Sequence, residues 1–180
     1  DNGAEGYPNG SYAQGAPGNA GGGATDGRPS DNDQNTGGGG GGNGGIGGRG
    51  GRAWANPAQY GGYGGGKFNE AASNRLVLGG GGGAGTTNNG TAEGMGYSVN
   101  YQNGFYSSGG SGGGMIFLRV GAVSGSGAIN ANGADGLAVE NDGGGGGGAG
   151  GSVYLFATNT AGLNNITVNA KGGAGGNAWI

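Results

Sequence analysis

The side chains in this sequence that could do chemistry are few. The chain contains no histidine and no cysteine, which excludes imidazole acid–base catalysis, thiolate nucleophiles and disulfides. Three carboxylates lie close together in the sequence, at Asp135, Glu140 and Asp142, and their oxygens could hold a calcium ion at a turn. No catalytic motif surrounds them. The sequence therefore predicts a protein that is not an enzyme and has no cofactor, apart from a calcium ion at these three residues.

Aromatic side chains form the second group of candidates. Four belong to a polar insertion spanning residues 86–111, and each of two tryptophans follows a glycine-rich stretch. A ligand-binding role, such as stacking on a sugar ring, is one interpretation of these residues. The other is structural, with the rings anchoring the insertion or covering polyglycine edges. The residues are Trp54, Tyr97, Tyr101, Phe105, Tyr106 and Trp179.

Glycine dominates the composition, with 59 of 180 residues, whereas proline accounts for only 4. Glycine does not recur at every third position, so a collagen triple helix is excluded. Disorder throughout is not expected, because 32% of the residues are apolar and many cluster in compact runs. No glycine-free stretch of helical length carries apolar residues at helical spacing, which predicts almost no α-helix.

The net charge is −3, and the cationic residues are spread along the chain. Without a basic patch, nucleic acid is not an expected partner. No run approaches the ~20 apolar residues of a membrane-spanning helix, so no membrane span is expected. The abundance of Asn, Ser, Thr, Gly and Tyr is typical of exported surface proteins and predicts an extracellular or cell-surface location.

Two regions are predicted. Residues 1–36 lack apolar periodicity and are expected to form an extended N-terminal arm or loop, and residues 37–180 a glycine-rich repeat domain. A glycine run can adopt the polyproline II type of helix, which makes no internal hydrogen bonds but can bond laterally to its neighbours. If the runs pack in this way, Gly145→Val should disrupt the fold, whereas the same change within residues 21–23 should be mild.

The second half of the chain contains two copies of one sequence repeat. The run Met115-Ile116-Phe117-Leu118 matches Ser152-Val153-Tyr154-Leu155 at an offset of 37. The run Ile129-Asn130-Ala131-Asn132-Gly133 matches Val168-Asn169-Ala170-Lys171-Gly172 at an offset of 39. These repeats, at about residues 112–148 and 149–180, have the period of stacked architectures. The predicted fold class is all-β or irregular, with short β-strands stacked on polyglycine II helices in a solenoid-like or sandwich-like repeat.

Alternation within the two longer strands predicts one aliphatic face that points inward. If the edges of these strands stay open, they would pair with the next subunit of an assembly. The residues predicted to mediate assembly are Met115, Ile116, Phe117, Leu118, Val153, Tyr154, Leu155 and Phe156.

The pattern of Leu76 to Gly83, Gly112 to Val120, Gly127 to Gly133 and Gly143 to Leu155 resembles glycine-rich repeat regions of large secreted bacterial surface proteins. By looser analogy, the glycine runs are similar to those of phage tail-tip adhesins and of a glycine-rich antifreeze protein, in which polyglycine helices pack as a bundle. The resemblance implies an external structural or adhesive role and transfers no site residues. The antifreeze pattern fits less well, because the glycine blocks lack a three-residue repeat carrying a regular side chain.

Three functions are consistent with these features. The first is an extracellular structural protein, a subunit or module of a surface fibre, sheath or matrix, whose partner is another copy of itself. The second is an adhesin or phage-fibre tip that binds a surface glycan or receptor through aromatic loops. The third is an ice-binding protein.

Overall fold

The computed structural model of the chain describes residues 19–24, 35–53, 61–68, 76–86, 107–139 and 142–178. In this part of the chain there is no α-helix, which confirms the prediction of a mostly non-helical fold. The regular elements are four strands and one 3-10 turn. They are β1 (Met115–Ala122), β2 (Gly127–Asn130), β3 (Ser152–Asn159), the 3-10 turn Leu163–Asn165 and β4 (Ile166–Asn169).

Glycine-rich segments make up most of the remaining described residues. Nine of them lie side by side and are joined by backbone hydrogen bonds. In chain order they are p1 (19–24), p2 (35–43), p3 (45–52), p4 (61–68), p5 (79–86), p6 (107–114), p7 (131–139), p8 (142–151) and p9 (170–178). We call this array the glycine bundle.

Hydrogen bonds to any one neighbour recur at every third residue. In p2, the amides of Gly38 and Gly41 donate to the carbonyls of Gly144 and Gly147 in p8, both at 2.9 Å. The amides on either side donate to other segments, since residues 37 and 40 bond to p3 and residues 39 and 42 bond to p1. A period of three residues is that of the polyproline II type of helix. Each segment thereby reaches several neighbours without internal hydrogen bonds.

The bonded neighbours arrange the bundle in three layers. The middle layer runs in the order p4, p2, p8 and p7, and p1, p5 and p6 form the layer on one side of it. On the other side, p3 bonds to p2 and p4, and p9 bonds to p8 and p7. Both p2 and p8 therefore have five bonded neighbours, which makes them the two inner segments of the bundle.

The close approach of backbones explains the need for glycine in the bundle. A Cβ atom at Gly145 would lie far inside van der Waals contact with the carbonyl oxygen of Ser108 in p6. A Cβ atom at Gly21 would overlap the carbonyl oxygen of Gly39 in the same way. The expectation that a side chain is tolerated at Gly21 is therefore wrong. Residues 19–24, although part of the predicted N-terminal arm, bond to p2, p4 and p5.

The four strands form two arches, β1–β2 and β3–β4, one for each sequence repeat. The arches stack with parallel pairing, β1 on β3 and β2 on β4, as two two-stranded sheets. Met115 pairs with Ser152, and Ile129 pairs with Val168, so the two offsets found in the sequence are the two registers of the strands. Gly125 lies in the turn of the first arch with φ of 82°, a left-handed conformation that favours glycine.

The stacked arches also contact each other through pairs of side chains at equivalent positions. The rings of Phe117 and Tyr154 stack with centroids 4.9 Å apart and planes 5° from parallel. The Asn169 side-chain amide donates to Asn130 Oδ1 at 2.7 Å. These contacts connect equivalent positions of the two repeats, and together with the strand pairing they fix the register of the stack.

The aliphatic face of the strands is the more buried one. In β1, Ile116, Leu118 and Val120 are half-buried and alternate with exposed residues. In β3, Ala157 is buried, and Val153 and Leu155 are half-buried. The alternation expected from the sequence is thus present in β1, whereas in β3 Tyr154 on the opposite face is half-buried as well. The apolar core is thin, with Val139 the largest fully buried apolar side chain among the described residues.

Candidate interaction surface

Apolar side chains are exposed along β1 and β3. Phe117 is 64% exposed, Met115 50% and Phe156 44%. The guanidinium of Arg119 lies over the Phe156 ring, 5.7 Å from its centroid, and the stacked pair Phe117–Tyr154 continues the row of rings. We call the surface formed by Met115, Phe117, Arg119, Tyr154 and Phe156 the ring face.

Next to the ring face are strand edges without a partner strand. Each sheet contains two strands in the described part of the chain, so β1 and β3 bond to one another and each leaves its other edge unpaired. Both strands have 8 residues, which is long for an exposed edge. A two-stranded sheet is marginally stable by itself, and a further paired strand would stabilise it.

The structure brings the predicted assembly residues together. Ile116 pairs with Val153, Phe117 with Tyr154, and Leu118 with Leu155. Met115 begins β1, and Phe156 pairs with Arg119. These residues therefore hold the two repeats of one chain together, and the exposed ones among them leave apolar area open to solvent. Their role in assembly stays a prediction.

An apolar cavity lies beside the start of β1. It has a volume of about 550 Å³, and its lining residues are Asn19, Gly66, Lys67, Phe68, Leu76, Val77, Leu78 and Met115. Ser152 Oγ donates to the Val77 carbonyl at 2.8 Å, which ties residues 76–78 to the first residue of β3. Of these lining residues, only Met115 was predicted from the sequence as a site residue, and its predicted role was in assembly. The apolar run of residues 76–78, directly before the glycines of p5, was the feature of the sequence that could have indicated this cavity.

The carboxylates proposed for calcium have separate partners. Asp135 Oδ1 accepts a hydrogen bond from the Ala174 amide at 2.6 Å, whereas Asp142 is buried and accepts one from the Asn35 side chain. Glu140 lies outside the described residues. Across the described ranges there is no group of three acidic, histidine or cysteine side chains close enough to hold a metal ion. Calcium binding stays a prediction.

The aromatic residues considered for ligand binding lie outside the described residues. This holds for all six of them, Trp54, Tyr97, Tyr101, Phe105, Tyr106 and Trp179. Their proposed role in binding a glycan or receptor therefore also stays a prediction.

A groove that the sequence analysis missed runs along the third layer, between p3 and p9. Its volume is about 330 Å³, and p2 and p8 form its floor. Apart from Ile46, Arg49 and Ala149, glycine residues line it. Its walls share a three-residue pattern, since p3 reads Ile-Gly-Gly-Arg-Gly-Gly-Arg and p9 reads Lys-Gly-Gly-Ala-Gly-Gly-Asn, but this pattern does not reveal that the two segments face each other.

No protein-family model matches the chain, and neither a curated protein nor a solved structure matches it significantly. Within the part that the structure describes, no helix has the length and apolar character needed to cross a membrane.

Proposed function

We propose that the chain is an extracellular structural module of a surface fibre, sheath or matrix. Its glycine segments form a bundle of polyglycine II helices, and the bundle carries stacked strands through which copies of the chain associate edge to edge. Catalysis has no part in this function, since the proposal uses only backbone pairing and apolar contacts.

The observation that carries the proposal is the in-register stacking of the two repeats. Each arch pairs with the next through parallel strands, a ring stack and an asparagine pair. Nothing in this pairing limits it to two arches, because the outer edges of β1 and β3 present the same backbone groups as the inner ones. Stacked repeats of this kind bury a continuous core only when neighbours are added.

The bundle supports the proposal as a rigid base for the arches. Segments p6 and p8 lead directly into β1 and β3, and p7 and p9 follow directly from β2 and β4. Hydrogen bonds from p6 to p8 and from p7 to p9 hold the ends of both arches side by side. The arches are thereby held in register before any second molecule binds, which lowers the entropic cost of association.

Assembly can be tested by sedimentation and electron microscopy of the purified chain over a wide range of concentrations. We expect oligomers or filaments that Phe117→Lys disperses, because the lysine removes an exposed ring and adds a second positive charge beside Arg119, which opposes close packing of strands. Leu137→Lys is a matched control, since Leu137 is also about half exposed, at 49%, but lies in p7.

Two results would contradict the assembly proposal. One is a monomer at every concentration, with no filaments on native material. The other is dispersal by Leu137→Lys to the same extent as by Phe117→Lys, which would indicate a general effect of charge and not a role of the ring face.

The adhesin is the second candidate, and one observation favours it. The apolar cavity beside Met115 is of a size typical of small-ligand sites. A glycan array with the purified chain tests this function. Specific binding that is weakened by Leu78→Asp would support the adhesin function. The absence of binding to any glycan on the array would contradict it.

A further inference from the structure

The two inner segments of the bundle use almost all of their backbone hydrogen-bonding groups. Between residues 37 and 42 of p2, every amide donates to a neighbouring segment, and every carbonyl except those of Gly38 and Gly41 accepts a backbone hydrogen bond from the described part of the chain. Between residues 144 and 149 of p8, every carbonyl accepts a hydrogen bond, and every amide except those of Gly144 and Gly147 donates to a backbone carbonyl among the described residues. The exceptions are spaced three residues apart in both segments.

These exceptions face the groove between p3 and p9. The amides of p8 donate in rotation to p5 and p7. In the third direction, that of Gly144 and Gly147, no segment among the described residues bonds to p8. The carbonyls of Gly38 and Gly41 in p2 point to the same side of the bundle, between p3 and p9. Gly38, Gly41 and Gly147 line the groove. Gly144 and Gly147 are buried, and buried amides without an acceptor are rare in proteins.

The groove has the position of one more glycine segment. It lies in the middle of the third layer, where p2, p3, p8 and p9 would all be its neighbours. An extended chain in this position could accept from the amides of Gly144 and Gly147 and donate to the carbonyls of Gly38 and Gly41. The three-residue spacing of these groups matches the period of a polyglycine II helix.

The walls of the groove indicate the sequence of such a segment. In p3 and p9 two glycines alternate with one larger residue, and the larger residue is exposed, as Ile46, Arg49 and Lys171 are. A segment between these walls would likewise have neighbours below and beside it and solvent on one side. It would therefore need glycine at two positions of three and could carry a side chain at the third.

The groove also continues the stack of repeats. Around p8, the bonded neighbours follow the order p2, p5, p6, p7 and p9, which places p6 and the groove on opposite sides of p8. The line from p6 to p8 thus leads into the groove, just as β1 is followed by β3 in the sheet. A segment bound parallel to p8 would leave the groove beside the outer edge of β3.

We propose that the groove binds an extended Gly-Gly-Xaa segment of another polypeptide as a tenth glycine helix of the bundle. The site consists of the amides of Gly144 and Gly147 and the carbonyls of Gly38 and Gly41, between the walls p3 and p9. It goes beyond the proposed self-assembly, since it uses the bundle and not the ring face.

A synthetic peptide of four Gly-Gly-Ser repeats can serve as the probe, with the full-length ¹⁵N-labelled chain observed by NMR. We expect shifts and at least about tenfold slower hydrogen exchange at the amides of Gly144 and Gly147, with little change on the ring face. A peptide of four Gly-Ala-Ser repeats is the matched control. In no register does it offer glycine at two positions of every three, so it should not bind.

Gly40→Ala tests the position of the site. The new methyl group would point into the groove, with its nearest atoms the Gly48 amide nitrogen at 3.3 Å and the Gly147 carbonyl oxygen at 3.5 Å. We expect a folded protein whose dissociation constant for the peptide rises at least about tenfold. Gly175→Ala is a second blocking variant, with its nearest atom at 3.8 Å, and Gly127→Ala, with no atom within 4 Å, is the control outside the groove.

Three results would overturn the proposal. The first is the absence of any shift at millimolar Gly-Gly-Ser peptide. The second is equal binding of the two peptides, or equal binding by the Gly40→Ala, Gly175→Ala and Gly127→Ala variants. The third is protection of Gly144 and Gly147 that grows with the concentration of the dispersed Phe117→Lys variant in the absence of peptide, which would place a second copy of the chain in the groove independently of self-assembly. Loss of self-assembly in Phe117→Lys leaves this binding unchanged, so the two proposals fail separately.

Discussion

The glycine bundle and the stacked arches are stabilised in opposite ways. In the bundle, backbones bond directly to backbones, and a side chain at inner positions such as Gly41 or Gly145 would overlap a carbonyl of the neighbouring segment. In the arches, side chains set the register through the Phe117–Tyr154 stack and the Asn130–Asn169 pair. The difference teaches that glycine is a structural requirement in the first region, whereas in the second the larger residues carry the specificity.

The largest effect is expected from Gly145→Val. The valine side chain would overlap the backbone at Ser107 and Ser108, which cannot move without breaking the bonds of p6. We expect a loss of more than about 4 kcal/mol in the free energy of unfolding, measured by chemical denaturation. Gly127→Val is the matched control, because a Cβ atom at Gly127 meets no atom within 4 Å. If both variants lost a similar amount of stability, glycine would be no more necessary in the bundle than in the arches, which would contradict the comparison.

A smaller loss is expected from Asp142→Ala. Asp142 lies at the start of p8, is 3% exposed and accepts a hydrogen bond from the Asn35 side chain in p2. Removing the carboxylate leaves a buried donor with one acceptor fewer, at a cost of about 1–3 kcal/mol. Thermal unfolding followed by circular dichroism measures it. A stability equal to that of the unmodified chain would show that this bond between inner segments does not stabilise the bundle.

For Phe117→Ala we expect a loss of about 0.5–1.5 kcal/mol within one molecule, the usual contribution of an aromatic pair. Phe117 is 64% exposed, so little burial is lost with the ring. A double-mutant cycle with Tyr154→Ala isolates the stacking energy. A coupling energy of zero would mean that the stacked rings do not fix the register of the arches.

The smallest effect is expected from Asp135→Ala. Asp135 is exposed and accepts from the Ala174 amide across the two repeats. The loss of one exposed hydrogen bond should cost about 0.5–1 kcal/mol, measured by denaturation beside Asp142→Ala. A loss larger than that of Asp142→Ala would show that burial does not decide how much a side-chain hydrogen bond stabilises the bundle.

The arches were largely predictable from the sequence, because their side chains encode the register. The matched runs at Met115 and Ser152, and at Ile129 and Val168, gave the offsets that the parallel pairs adopt. That the two copies pair with each other follows from stacking, since neither copy can bury its apolar face alone.

The arrangement of the glycine segments could not be predicted in the same way. Glycine runs present identical backbones, so nothing in the sequence specifies which run lies beside which, or in what register. The packing of residues 19–24 among p2, p4 and p5 therefore contradicts the expected tolerance at Gly21 without any earlier signal. The groove was missed for the same reason, because it results from the number and order of the layers.

The most direct test of the account is native-state hydrogen exchange of the amides from Gly143 to Gly148. The central claim is that this glycine run is a laterally bonded structural element and not a linker. We expect strong protection at Gly145, Gly146 and Gly148, which donate to p7, p5 and p7, and faster exchange at Gly144 and Gly147 in the unliganded chain. Uniform exchange of all six amides at the rate of an unfolded chain would contradict the claim.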